Sequence, residues 1–353
     1  MTGTRLRVAL DARRLQDVPL GGVGRSLAGV IDLLAAEVDL TLLTDARQPP
    51  IDTAIAQHAL RPPPRSPELV WMQWSVPRWL RHFDGVFHGT FNQLPLRTPV
   101  PSVVTIHDLS FELHPEGFGR GKRQAFCVQA RHAARVASRI LAPSEFTRDE
   151  IITHYGAEAD RVAVTPWGVE ARFGDACRAA VDAPAPTRRY VVAMGGAPRR
   201  GLDVAIGAWR AVCNGDAPDL VVVGREQPPS EPGLIAAGGV DDREWARLLA
   251  GAAAFCYPTR YEGFGVPALE SMASGTPVVC APVASLPEVL GDAAEWCATP
   301  SVDAIAAGLR NVLHDPVRAA ELRRRGLARA EAQPSWEHTA DVMLRAYRDA
   351  ARS

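Results

Sequence analysis

The sequence predicts an α/β protein made of two doubly wound parallel-sheet domains, on three observations. Short β-like apolar runs alternate with helical patterns along 353 residues, the alternation that lays helices on both faces of a parallel sheet. The alternation halts in an Ala- and Pro-rich stretch near the middle and then restarts. The length exceeds the ~100–200 residues of a typical domain.

The first block opens with the strand pattern RLRVAL (5–10), the glycine-rich GGVGR (21–25), the helical SLAGVIDLLAAE (26–37) and the strand VDLTLLT (38–44). Strand candidates follow at 85–89, 101–108, 139–144 and 161–168, with helical patterns at 122–138 and 145–156. GDACRAAVDAPAPTRR (174–189) lacks lasting periodicity and reads as a linker. The second block supplies strands RYVVAMGG (189–196), DLVVVG (219–224), AAFCYP (253–258) and TPVVCA (276–281). Between them lie helical patterns at 201–212, 241–252 and 267–275, and an amphipathic helix spans 336–353. The expected division is a first domain over 1–172, a second over 173–335, and a final helix, 336–353, that packs back toward the first.

Composition narrows the function. Hydrophobic residues make up 47% and charged residues 22%, enough apolar material for two cores. The net charge of −1 gives no global field toward nucleic acid or an anionic membrane. The six cysteines show no metal-ligand spacing, and several sit in apolar runs as reduced thiols would, which suits a cytosol. No signal-peptide core or membrane-length apolar run is present. Lys122 is the only lysine, so lysine chemistry would fall to that residue alone.

The stretch Tyr257–Val279, YPTRYEGFGVPALESMASGTPVV, carries the chemistry. Pro267 suits a first helical turn, and Gly275 followed by Pro277 suits a stop. Gly263-Phe264-Gly265 is then the loop feeding a helix N-terminus, where free N–H groups favour an anionic or hydroxyl-rich ligand. Glu262 precedes the turn and Glu270 lies on the first helical turn, so both can face one ligand. Carboxylates accept paired hydroxyl hydrogen bonds from sugar diols. The residues alone leave a second reading open, in which Glu262 is a solvated loop residue and Glu270 a charge at the helix start.

EGFGVPALE (262–270), with its E-x7-E spacing, resembles the signature of the retaining glycosyltransferases of family 4, which have the GT-B fold of two Rossmann-like domains and an inter-domain cleft. Further segments are similar in order and spacing: GGVGR, VTIHDLSFELHPE (104–116), APSEFTRDEI (142–151), VTPWGVEARF (164–173), MGGAPRRGLDVAIGAW (194–209), SLPEVLGDAAEW (285–296) and PSWEHTADVMLRAY (334–347). The resemblance implies that Glu262 lies at the donor sugar and Glu270 at the nucleotide ribose. It places the amides of Phe264, Gly265 and Val266 at donor oxygens and His107 at the reacting sugar. Gly22 and Gly24 would approach the diphosphate, with an ordinary helix-entry turn as the other reading. Arg200 stands where the family usually has a diphosphate-binding lysine, with Arg199 beside it. Arginine keeps the charge and offers a fork to phosphate.

The implied reaction moves a hexosyl unit, with mannosyl from GDP-mannose as the first expectation, from a nucleoside diphosphate sugar to a hydroxyl of a saccharide or glycoconjugate, with retention. No Asp-x-Asp motif marks a strand end, so neither a metal nor another cofactor is expected. The alternatives are a non-catalytic nucleotide-sugar-binding partner and a nucleotide-sugar epimerase. A Walker loop fails because Glu116 and Arg123 occupy its first and last positions, and a nicotinamide fingerprint fails at Leu27. Two surface features are open. Trp71, Trp74 and Trp79 read as core, or as a face for acceptor or membrane. Arg131, Arg135 and Arg139 read as a solvated stripe, or as a dock for anionic groups and a peripheral contact with the membrane's inner face.

Overall fold

The computed structural model describes residues 5–17, 20–66, 70–182, 188–213, 218–226 and 228–353. The chain divides into two compact units. One comprises residues 1–168 together with 334–353, and the other comprises 169–333.

The first unit holds a seven-stranded sheet: β1 (Arg7–Asp11), β2 (Asp39–Asp45), β3 (Ala56–Leu60), β4 (Val86–Gly89), β5 (Ser102–Thr105), β6 (Arg139–Ala142) and β7 (Val162–Val164). Their order is β3-β2-β1-β4-β5-β6-β7, and every pairing is parallel. Successive side chains on a strand point to opposite faces, and the two apolar clusters follow that alternation. Val8, Leu10, Leu42, Val103 and Leu141 join the core beneath helices Ile31–Glu37 and Trp336–Ala350. Ala9, Leu43, Val104, Ile140 and Ala142 join the opposite core with Trp71, Met72, Leu80, Ala133 and Ile151.

The final helix, Trp336–Ala350, is therefore a structural wall of this unit. Tyr347, fully buried, brings its hydroxyl 2.8 Å from Nδ1 of His88 on β4, and Nε2 of His88 lies 2.8 Å from Thr105 Oγ1. Both ring nitrogens of a solvent-free imidazole are thus satisfied, as buried polar groups require. Thr339 at the start of the helix donates to the Pro166 carbonyl.

The second unit holds six parallel strands: β8 (Tyr190–Met194), β9 (Asp219–Val223), β10 (Leu234–Gly238), β11 (Ala254–Cys256), β12 (Val278–Cys280) and β13 (Glu295–Trp296). Their order is β10-β9-β8-β11-β12-β13. Helices Leu202–Val212 and Val302–His314 supply Ala205, Trp209, Ile305 and Leu309 to one face. Cys256 and Cys280 are buried strand residues, and all six cysteines are free.

Two expectations change. The stretch read as a linker begins inside a helix, Ala171–Asp182. Phe173 and Cys177 are buried, and their i, i+4 spacing puts both on one face; the Ala-rich composition hid that stripe. Residues 183–187 of the same stretch lie outside the described residues. The pattern at 26–37 is not one helix but two, Gly22–Ala28 and Ile31–Glu37. The break falls at Gly29, where a Cβ would come within 2.6 Å of the Trp336 ring.

The tryptophans divide. Trp71 is fully buried, Trp79 stacks on Phe83, and Trp74 is 51% exposed. The arginine stripe is partly spent, because Arg131 forks onto Glu112 and Arg139, which opens β6, faces Asp349. Among the described residues no helix is long and apolar enough to cross a membrane.

Tyr347→Phe removes one partner of a buried imidazole nitrogen. A loss of about 1–3 kcal/mol is expected from the stranded group, read as a lower urea midpoint at pH 7.5 with an unchanged m-value.

Candidate functional site

In a doubly wound sheet, chain connections leave in opposite directions from two central strands. The loops at the carboxyl ends of those strands then splay apart into a ligand crevice. In the second unit the two strands are β8 and β11. The loop after β8 carries Gly195 to Gly201, and the loop after β11 carries Tyr257 to Gly265.

These loops are tied together. The backbone N–H of Arg260 donates to the Arg199 carbonyl at 2.7 Å, and the Thr259 hydroxyl reaches the same oxygen at 3.2 Å. Gly201 permits this approach. Its φ is +68°, and a Cβ there would lie 2.4 Å from the Pro258 carbonyl oxygen, so any other residue would force the loops apart. Gly265 has φ +95°, and a Cβ would meet Leu286 at 2.6 Å.

Glu262 is 8% exposed and fixed at both ends. Its Oε1 accepts from the Tyr257 hydroxyl at 2.7 Å, and its backbone carbonyl accepts from the Ser285 hydroxyl at 2.8 Å. Arg199 Nη2 lies 3.7 Å from Oε2. Burial, and after it the charge of Glu262, pushes the Tyr257 phenol well above its ordinary range, so Tyr257 remains a donor to the carboxylate.

Glu270 lies on the helix Val266–Ala273 and is 3% exposed. Its Oε2 accepts from the indole N–H of Trp245 at 2.7 Å. Phe264 is buried, whereas Gly265 and Val266 form the N-terminal end of that helix, where amide N–H groups lack intrahelical acceptors. Arg200 is half-buried. One Nη donates to the Gly195 carbonyl at 2.9 Å, and its buried Nε–H has no hydrogen-bond partner among the described residues. An unpaired guanidinium N–H out of water is costly, and a ligand oxygen would relieve it.

The first unit repeats the topology with β1 and β4 at its centre. Thr90, after β4, donates its hydroxyl to the Asp11 carbonyl at the end of β1 at 2.7 Å. The Thr90 carbonyl lies 2.7 Å from His107 Nε2. A carbonyl only accepts, so Nε2 carries the proton and Nδ1 holds a lone pair. That Nδ1 is buried with no partner among the described residues. Asn92, at φ +53°, takes the His107 amide at 2.8 Å, and the Trp167 ring stands edge-on to the imidazole at 5.4 Å. Burial pushes the His107 pKa down from 6.5 to about 4. The ring is therefore a neutral acceptor at pH 7, suited to a hydroxyl hydrogen.

Gly22 and Gly24 differ. A Cβ on Gly24 would sit 2.4 Å from the Arg14 carbonyl oxygen, a packing reason for glycine, while Gly22 has nothing closer than Trp167 at 3.9 Å. Several supports carry no motif signature: Tyr257 under Glu262, Trp245 on Glu270, and Thr90 under His107. Asp11 is another, forked by Arg13 at 2.7 and 2.9 Å with the guanidinium 4.0 Å over Trp71.

Two Rossmann-like sheets, each with polar groups converging at its switch point, define a protein of the class that binds ligands in such crevices. The family described as Glycosyltransferase Family 4 matches residues 20–173, and that described as Glycosyl transferases group 1 matches residues 182–330. O-antigen chain mannosyltransferase B of Escherichia coli is 30% identical over 287 residues, spanning 75% of this chain and 74% of that protein. MMP alpha-(1->4)-mannosyltransferase of Mycolicibacterium hassiacum is 30% identical over 240 residues, spanning 64% of this chain and 57% of the relative. A solved sucrose-phosphate synthase from Thermosynechococcus elongatus shares the fold, with a TM-score of 0.78 over 98% of both chains at 19% identity. The chain belongs to the family 4 glycosyltransferases and has their GT-B fold.

The neutral histidines predict a pH dependence. Burial lowers the pKa of His88 to about 3 and that of His107 to about 4, against 6.5 when unfolded. Below pH 6.5 the unfolded chain binds protons that the native state refuses, so stability falls as pH falls. The slope approaches about 1.4 kcal/mol per pH unit for each histidine, until the native pKa values are reached. Urea midpoints between pH 7.5 and 5.5 measure it; a flat profile would contradict neutral, buried rings.

Proposed function

We propose that this glycosyltransferase moves a mannosyl unit from GDP-mannose to a hydroxyl of a saccharide or glycoconjugate, with retention of anomeric configuration and without a metal or other cofactor. The observation that carries the reading is the pairing, at the β8/β11 switch point, of Arg200 with its unsatisfied buried N–H and of Glu262 held by Tyr257. Cation and carboxylate there match the two ends of a sugar diphosphate. The mannosyl choice is supported by two relatives at 30% identity that are named mannosyltransferases.

In this reading Arg200 meets the diphosphate, with Arg199 alongside. The amides of Phe264, Gly265 and Val266 meet donor oxygens, Glu270 the ribose, and Gly22 and Gly24 the diphosphate. Glu262 orients the sugar, and the lone pair of His107 Nδ1 accepts a sugar hydroxyl proton. The bond from the anomeric carbon to the diphosphate oxygen breaks as the bond to the acceptor oxygen forms on the same face. The acceptor's proton leaves with the departing phosphate. Charge grows on that phosphate in the transition state, where a preplaced guanidinium acts most strongly. The protein works in the cytosol, with a peripheral contact at the membrane's inner face as part of the same proposal.

Release of GDP from GDP-mannose in the presence of an acceptor panel tests this. Arg200→Ala is expected to lower kcat about 100-fold, whereas Arg200→Lys keeps most of it. Equal turnover of both would remove Arg200 from the mechanism. Tyr257→Phe takes one hydrogen bond from a buried carboxylate, and kcat is expected to fall about tenfold with KM little changed. Turnover with UDP-sugars alone would overturn the donor assignment, and conversion of the donor to another nucleotide sugar without acceptor and without GDP release would point to epimerisation.

A further inference from the structure

The open edge of the first unit's sheet holds a cavity of about 650 Å³ beside β3, within the size range of small-ligand sites. Arg61, Arg78 and Arg81 line it, with His58 on β3, and the lining includes no carboxylate among the described residues. None of these arginines has an ion-pair partner among the described residues. This is a local concentration of positive charge on a chain whose net charge is −1.

Two aromatic rings complete the wall. Trp74 is 51% exposed, with the Arg78 guanidinium 5.8 Å from its ring centroid, and Trp79 is held at a tilt against His58 at 5.4 Å. Trp74 and Ser75 belong to a π-helical turn, Trp71–Ser75, an irregularity frequent at functional sites. Ser75 is 6% exposed and lines the cavity, and its buried hydroxyl has no hydrogen-bond partner among the described residues. A buried hydroxyl left unpaired costs free energy that a ligand would recover.

We propose that this cavity binds an anionic saccharide segment, carboxylate- or phosphate-bearing, belonging to the acceptor. Guanidinium forks match carboxylate and phosphate oxygens. The half-exposed Trp74 indole offers a flat amphipathic face to the C–H side of a sugar ring, and the Ser75 hydroxyl takes a ring hydroxyl. A lipid surface would call for several exposed apolar side chains together, and among the described residues lining this cavity Trp74 is the one large apolar side chain that stands out.

The site is separate from the first unit's own switch-point groups. His107 follows β5, and the order β3-β2-β1-β4-β5 places four strand spacings, roughly 19 Å, between the two strands. The cavity would thus hold a part of the acceptor remote from the reacting hydroxyl. Calling the saccharide an acceptor rests on the transfer reading; its binding does not.

The experiment is calorimetric titration of the full chain with hexagalacturonate, maltohexaose, inorganic phosphate and phosphatidylglycerol vesicles. It is repeated on Trp74→Ala and on Arg78→Gln/Arg81→Gln, exposed positions whose folding is checked by melting temperature. Hexagalacturonate is expected to bind, with each variant weakening it about tenfold and maltohexaose weaker by at least that factor. Unchanged affinity in both variants, equal affinity for maltohexaose, or binding only of vesicles or of free phosphate would overturn the proposal. Slow GDP release from GDP-mannose without acceptor should be the same in wild type and variants, which keeps failure of the transfer reading distinguishable.

Discussion

Each half of this protein depends on one constraint, the reversal of winding at the centre of a parallel sheet. Strand order 3-2-1-4 leaves the loops after the first and fourth strands nothing to pack against directly above the sheet. Polar groups can gather there without being driven into an apolar core. In the second unit those loops carry Arg200 and Glu262, in the first Asp11 and Thr90, with His107 on the neighbouring strand end. The inner strands of each sheet, buried on both faces, serve to keep these loop bases from shifting.

Precision at the loops comes from hydrogen bonds to neutral donors as well as from ion pairs. Tyr257 grips Glu262, Trp245 grips Glu270, and a backbone carbonyl selects the tautomer of His107. Neutral donors hold a carboxylate in place without cancelling its charge, and a fixed tautomer leaves the opposite nitrogen as a defined acceptor. The arrangement suits chemistry on a polyhydroxylated, doubly charged substrate, in which orientation and charge placement matter more than a strong base.

Much of the architecture was legible because buried parallel strands read as unbroken Val, Ile and Leu runs, as at Val191–Val192 and Val221–Val223. Strands β3, β10 and β13 escaped notice. The first two carry half-exposed residues such as His58 and Ile235, and the third has only two residues. Helices Val302–His314 and Pro316–Glu331 were also unread; the second is rich in arginine, and its apolar face is thin. The placing of Glu262 and Glu270 about the Gly263–Gly265 turn was legible in the glycine and proline pattern, whereas Arg200 and His107 stood out only through the family resemblance. Their partners were not legible: Tyr257, Trp245 and Thr90 come from separate elements or carry no motif, and only the folded sheet brings them near.

The first unit borrows its outer wall from residues 336–350, beyond the whole of the second unit in the chain. Leu10, Val103 and Leu141 share one apolar core with Met343 and Tyr347. During synthesis on a ribosome, the part made earliest therefore cannot finish its core first. The second unit has every strand and helix it needs once residue 333 has emerged, while the first waits with one sheet face bare. A nascent chain of this protein is thus most exposed to chaperones and aggregation in its oldest segment.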